Sequence, residues 1–203
     1  MISENTLKKY RATVVLLNKG KMLFQEGDAA NFFYIVKSGQ VKMSNYSDDG
    51  REFVQGYFSE GQSFGEPPFF SHVPYPASAI AVDDSEVWKV SHDEFLKLLK
   101  NNFEIHLELT RILCDRLIYK STMLSELAIE EAEHRLMTLI KYLVAHSDRH
   151  EKTPHKLVFT RQQLADMTGL RVETVIRSVK LLEQRGLLEI DRNGKIIWKH
   201  LLK

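Results

Sequence analysis

The chain has 203 residues, 43% of them hydrophobic, and 28 Lys/Arg against 27 Asp/Glu give a formal net charge of +1. That length suits one large or two small domains; no uncharged apolar run is long enough to span a bilayer, and MISENTLKKY lacks a signal-peptide core. A single cysteine, Cys114, excludes an intrachain disulfide framework and a cysteine-ligated iron–sulfur cluster within one chain, so we expect a cytoplasmic protein with no membrane partner.

Residues 14–90 read as β structure. Short apolar segments (VVLL, FFYIV, VKMS, FVQGYF, ASAIAV, EVWKV) alternate with turn signals at Asn18-Lys19-Gly20, Glu26-Gly27-Asp28, Ser38-Gly39, Asp48-Asp49-Gly50 and Glu60-Gly61. Strands at this spacing with a glycine at most corners predict a barrel or jelly roll, and Asp49-Gly50 is a hairpin signal in its own right.

From Ser91 the period changes to helical. Ser91 and Glu94 have the spacing of a capping box at the start of SHDEFLKLL. A long helix without Pro or Gly follows over about 103–127, and it is apolar on two faces. One row is Ile105, Leu109, Ile112, Tyr119 and Met123; the other is Leu113, Leu117, Leu124 and Leu127. A helix apolar on two faces is buried on two sides. One face can cover the barrel, and the a/d spacing of the leucine row predicts a parallel seam with a second copy of the chain. A further helix is expected over about 129–146, then a polar link, SDRHEKTPHK.

The stretch TRQQLADMTGLRVETVIRSVKLLEQRGLLEI (160–190) predicts a helix, a tight turn and a second helix. Thr160 is a good N-cap, Leu164 and Ala165 supply an apolar close-packing face, and Gly169 stands where the chain turns sharply. Val175, Val179 and Leu182 recur at helical spacing and point inward. The opposite side carries Arg171, Glu173, Ile176, Arg177 and Lys180. An arginine fork matches guanine O6 and N7, a glutamate accepts from cytosine N4, and an aliphatic group touches a thymine methyl. Glu173 and Arg177 also stand i,i+4, the spacing of a helix-supporting ion pair. Gly186 ends the second helix, and LLEI, Asp191–Gly194 and KIIWKH then read as a hairpin with an Asn-Gly turn, the wing of a winged helix.

Charge follows this division. Residues 160–203 carry nine Lys/Arg and five Asp/Glu, a net +4, and the rest of the chain carries 19 against 22, a net −3. The excess sits where phosphate would be met. We find no nucleophile–base motif, phosphate loop or metal-ligand spacing, and expect neither an enzyme nor a metal site.

With GDAANFFYIVKSGQVK (27–42), SFGE (63–66), PASAIA (76–81) and 160–188 in view, the chain resembles the Crp/Fnr transcription regulators over nearly its full length. The resemblance implies an α+β fold: an N-terminal barrel or jelly roll of the cyclic-nucleotide-binding type, a long dimerisation helix and a C-terminal winged helix-turn-helix. The domains would be 1–128 and 129–203. It implies a homodimer on near-palindromic DNA, with recognition helices about one turn (~34 Å) apart. Glu173 and Arg177 match the family's base-reading pair, whereas Val172 departs from an arginine and Ile176 from a serine found in other members. Thr160, Arg161, Gln162, Arg171, Thr174 and Lys180 complete the expected DNA contacts. RNA polymerase is a further implied partner, and the Asp48–Arg51 turn is a candidate surface for it.

The effector pocket departs from the pattern. Cyclic-nucleotide binders of this fold hold the phosphate on a Gly-Glu helix start and complete it with an Arg-Ser or Arg-Thr pair. Phe64, Gly65, Glu66 and Ser78 fit, but Ala77 takes the arginine position. A diester without that guanidinium loses a charge-assisted contact of ~1.5–3 kcal/mol. Pro67 and Pro68 remove two N–H donors, and Lys120, beside Ser121, replaces a base-contacting threonine. We therefore expect no response to cAMP and an unidentified small-molecule effector. Cys114 cannot replace the cysteine cluster of oxygen-sensing members, and a haem reading would rest on His72 with Tyr75 nearby. Phe64, Phe69, Phe70 and Tyr75 would line an apolar ligand site or simply pack the core. The alternative function is a cyclic-nucleotide, haem or gas sensor whose winged helix contacts protein instead of DNA.

Overall fold

A computed structural model describes residues 2–129, 131–146, 155–157 and 159–198. Its contacts divide the chain into two compact units, Met1–Leu113 and Cys114–Lys203. The division falls inside the long helix, where the expected boundary lay after residue 128.

The first unit opens with α1 (Glu4–Lys9), capped by Ser3 Oγ, which accepts from Thr6 N–H at 3.2 Å. Eight strands follow: β1 (Thr13–Leu17), β2 (Met22–Phe24), β3 (Phe32–Ser38), β4 (Gln40–Tyr46), β5 (Glu52–Ser59), β6 (Ser63–Phe64), β7 (Ser78–Ala81) and β8 (Ser85–Ser91). They form two four-stranded antiparallel sheets, β1-β8-β3-β6 and β2-β7-β4-β5, the jelly roll that the glycine-cornered pattern predicts. The short helix α2 (Glu66–Ser71) separates β6 from β7, and α3 (His92–Asn101) follows β8.

β3 and β8 explain why FFYIV and EVWKV read as apolar runs instead of an alternation. Tyr34, Val36 and Val87 face a cluster inside the barrel with Phe24, Phe64 and Tyr75. Phe33, Ile35, Trp88 and Val90 join a second cluster with Leu7, Phe69, Phe95 and Leu98. A strand covered on both faces has no polar side to show.

The long helix α4 (Phe103–Ile129) serves different neighbours along its length. Ile105, Leu109 and Leu113 pack against the second cluster of the first unit. Beyond Leu113, Tyr119 stacks on Tyr142 at 3.8 Å between ring centroids, and Glu126 Oε1 accepts from Thr138 Oγ1 at 2.9 Å. Both partners belong to α5 (Ala132–Ala145).

In the second unit α5, α6 (Arg161–Thr168) and α7 (Val172–Gln184) enclose Leu136, Leu139, Ile140, Leu164, Val175, Val179 and Leu182, all 0–1% exposed. A three-stranded sheet, in the order β10 (Leu188–Ile190), β11 (Ile196–Trp198), β9 (His155–Leu157), completes the winged helix.

Three local expectations change. Ser91 is the N-cap of α3, but its side chain makes no capping bond, because it is also the last residue of β8, paired with Phe32. Glu94 accepts from Lys97 Nζ at 2.9 Å instead. In the wing, Gly194 (φ 77°) is left-handed while Asn193 is not; Asp191 and Lys195 close the loop at 2.9 Å, a type I turn with a glycine bulge, not a two-residue Asn-Gly turn. Finally, β9 emerges from the end of what reads as a polar link.

Candidate functional site

Thr160 begins α6 with a complete capping box. Its Oγ1 accepts from Gln163 N–H at 3.1 Å, and Gln163 Oε1 accepts from Thr160 N–H at 2.8 Å. Thr-x-x-Gln is the sequence signature of this cap, and Gln163 is a functional support beyond the expected contacts. Arg161 is half-buried, and Gln162 is exposed with its Nε2 bound to Asp166 Oδ1 at 2.7 Å. Gly169 caps α6 at φ 68°, which lets the chain reverse into α7 without the strain a Cβ would bring.

α7 is sharply two-sided. Val175, Ser178, Val179 and Leu182 are buried, while Arg171, Glu173, Ile176, Arg177 and Lys180 are exposed. Val172 and Thr174 lie at the edges, half-buried. Among the described ion pairs none joins Glu173 to Arg177, and both residues are exposed. Arg171 occupies the N-cap without a side-chain capping bond. Both helices are tied to α5: Arg185 Nη1, at the C-cap of α7, donates to Glu133 Oε1, and Arg135 Nη1 reaches Thr168 O at the end of α6 at 3.5 Å. The ten proposed contacts lie on α6, on α7 and at the residues that cap the two helices.

The leucine row behaves less uniformly. Leu117, Leu124 and Leu127 are 66%, 69% and 53% exposed, whereas Leu113 is partly buried against the first unit's own cluster. Ile118, 65% exposed, was not in the expected row. Lys120 and Ser121 are exposed on α4 in the second unit.

The motif residues of the effector pocket are buried in the barrel. Phe64 and Ala77 are 0% exposed, Glu66 2% and Ser78 6%. Glu66 accepts from Ser63 Oγ, and Ser78 Oγ accepts from Glu26 N–H at 3.0 Å. Gly65 caps α2 at φ 75°. Around it the rings of Phe24, Tyr34, Phe58, Phe64 and Tyr75 are in mutual contact, with Tyr75 lying flat on Phe24. Burial pushes the Tyr34 hydroxyl up to about 12, reinforced by Asp28, and raises Tyr75 well above the ordinary tyrosine range, reinforced by Tyr34, Asp28 and Glu66. Phe69 and Phe70 belong to the other cluster, so the four aromatics expected to share a lining are divided.

The two residues on which a haem reading would rest have different surroundings. His72 stands at the surface, left-handed at φ 53° with its ring 5.0 Å from His92, whereas Tyr75 is in the barrel core. Among the described residues no group of three metal-ligating side chains occurs, and no helix is long and apolar enough to cross a membrane.

Comparison with known proteins agrees with this division. A cyclic nucleotide-binding domain matches residues 14–102, and a Crp-like helix-turn-helix domain matches 135–201. The cAMP-activated global transcriptional regulator CRP of Haemophilus influenzae is 31% identical over 196 residues, spanning 94% of this chain and 82% of the relative. The transcriptional activator protein anr of Pseudomonas aeruginosa is 25% identical over 177 residues, 86% of this chain and 72% of its own. The solved structure of FixK2 from Bradyrhizobium japonicum shares the fold with a TM-score of 0.73 at 22% identity, over 93% of each chain.

Proposed function

The chain belongs to the Crp/Fnr family of transcription regulators, and from that premise we propose that it acts as a homodimer that reads near-palindromic DNA through α7 without answering to cAMP. One observation carries the proposal: α7 buries its aliphatic face and presents Arg171, Glu173, Ile176, Arg177 and Lys180 to solvent. Those are the side-chain types that read base edges and neutralise phosphates. A winged helix used for protein contact has no need of a basic, outward recognition face.

Glu173 and Arg177 are assigned the base contacts. Thr160, Arg161, Gln162, Arg171, Val172, Thr174 and Lys180 surround them as backbone and flanking contacts, with Ile176 against a methyl. The exposed leucines 117, 124 and 127, with Ile118, supply an apolar stripe for a second copy. Leu113 contributes less than the spacing suggests, since the barrel already covers part of it.

The Haemophilus influenzae relative is cAMP-activated; this chain places an alanine, fully buried, where a phosphate-binding arginine would stand. A monoanionic diester there would be desolvated without a counter-charge. Signals would travel through α4, the element that both units share. RNA polymerase is the expected partner of the DNA-bound dimer, with Asp48–Arg51 as a candidate surface, and the place of action is the cytoplasm.

Site selection from random DNA, with and without cAMP, tests this reading. The expected product is a symmetric site with half-sites about one turn (~34 Å) apart and an affinity that cAMP leaves unchanged. Selection that requires cAMP would overturn the pocket assignment; no enriched site would overturn the role of α7.

A further inference from the structure

One ring in the barrel interior comes from outside the strands. Phe24, Tyr34, Phe58 and Phe64 lie on β2, β3, β5 and β6, but Tyr75 enters from the segment between α2 and β7. Its backbone is pinned on both sides: Tyr75 N–H donates to Asp28 O, and Gly27 N–H donates to Tyr75 O, each at 2.9 Å. Its ring stacks on Phe24 with 3.7 Å between centroids and 12° between planes. Its hydroxyl donates to the carbonyl of Phe32 at 3.2 Å, and only 2% of the residue is exposed.

Where the ring lies gives it meaning. A Cβ built on Gly65 would stand 3.1 Å from Tyr75 Cε1 and 3.5 Å from Phe24 Cζ. The phenol therefore covers the Gly65 turn at the start of α2, while the Ala77 methyl joins the same cluster. A flat ring stacked on one wall, with a single hydroxyl paired to a backbone carbonyl, is how a protein holds a small aromatic ligand. Here the ligand is part of the chain, and the tether keeps it at a high effective concentration.

We infer that Tyr75 is the resident occupant of the effector site, a tethered phenol that fills the barrel so that DNA binding does not wait on a small molecule. This rests on reading residues 63–78 as the effector site, as proposed above. The ligand class of the emptied site follows from its walls. Phe24 offers a stacking face and Phe32 a carbonyl acceptor, and Ala77 brings no cation. Free phenol fits those walls; a phosphate ester does not.

The test uses the full chain carrying Tyr75→Ala, which leaves an apolar cavity of phenol shape. We expect a lower Tm and at least a tenfold loss of specific DNA affinity, both restored saturably by millimolar phenol and by cAMP not at all. The parent should respond to neither compound. A folded Tyr75→Ala protein indifferent to phenol would overturn the inference, as would a saturable phenol shift in the parent. Should the variant not fold, nitration of the parent decides the matter. Tyr46, 52% exposed, should be modified while Tyr75 is protected until the barrel melts; equal rates would show an open site and sink the assignment. The thermal readout is independent of DNA. If phenol rescues the Tm but the parent selects no DNA site, the regulator reading fails and Tyr75 keeps its role. If the parent selects a site and the variant ignores phenol, only the role of Tyr75 falls.

Discussion

Residues 63–78 and residues 160–180 both carry the family's motifs, and the fold treats them in opposite ways. In the first stretch Gly65, Glu66, Ala77 and Ser78 are all buried, and the polar ones are bonded to Ser63 and Glu26 of the same barrel. In the second, Arg171, Glu173, Arg177 and Lys180 stand exposed on a helix whose other face is fully packed. One set of motif side chains reaches solvent; the other is enclosed by aromatic rings and bonded within its own barrel.

The largest test of that contrast is Ala77→Arg, which returns the missing guanidinium to the pocket. Because Ala77 is fully buried among aromatic rings, the new charge should be unpaired and should cost ~3–5 kcal/mol, lowering Tm by roughly 10 °C. A variant that melts like its parent and gains cAMP affinity would show the pocket to be open after all. Next comes Leu117→Asp, which places a carboxylate on the exposed stripe of α4. Ultracentrifugation should show dimer dissociation more than tenfold stronger, a loss of about 1.4 kcal/mol or more; an unchanged dimer would move the seam elsewhere.

On the recognition side the effect of Arg177 bears on binding, not folding. Arg177→Ala should cost ~1–3 kcal/mol of specific DNA affinity and relax selection at one base pair, with Tm unmoved because the side chain is exposed. Full affinity for the selected site would remove Arg177 from the interface. The smallest effect belongs to Thr160→Ala, which deletes one half of the capping box and should cost ~1 kcal/mol of stability. A melt unchanged by that substitution would mean that tertiary packing alone sets the start of α6.

Much of this was legible in the residues. The glycine corners announced the jelly roll, the absence of Pro and Gly announced α4, and the spacing of Val175, Val179 and Leu182 announced the buried face of α7. Ala77 could be read as a departure at a motif position. The place of Tyr75 could not, since it is a single aromatic in a loop and no spacing announces its stack on Phe24. Short elements also escaped. β6 has two residues and β9 has three, too few for a period to show, and their partners lie far along the chain. Spacing along a helix makes the leucine row of α4 look like one seam, and it cannot reveal that Leu113 packs against the first unit's second cluster.

β3 has a consequence for how the barrel breathes. It is paired on both edges, with β8 and β6, and covered on both faces by separate clusters. Its amides, and those of β8, which is paired with β1 and β3 and covered by the same two clusters, reach water only when two layers part together, so the slowest hydrogen exchange of the first unit should belong to this central pair. Edge strands such as β1 and β2 can fray without exposing β3. The barrel therefore carries its slowest clock in the middle of one sheet, and rapid opening is confined to its edges.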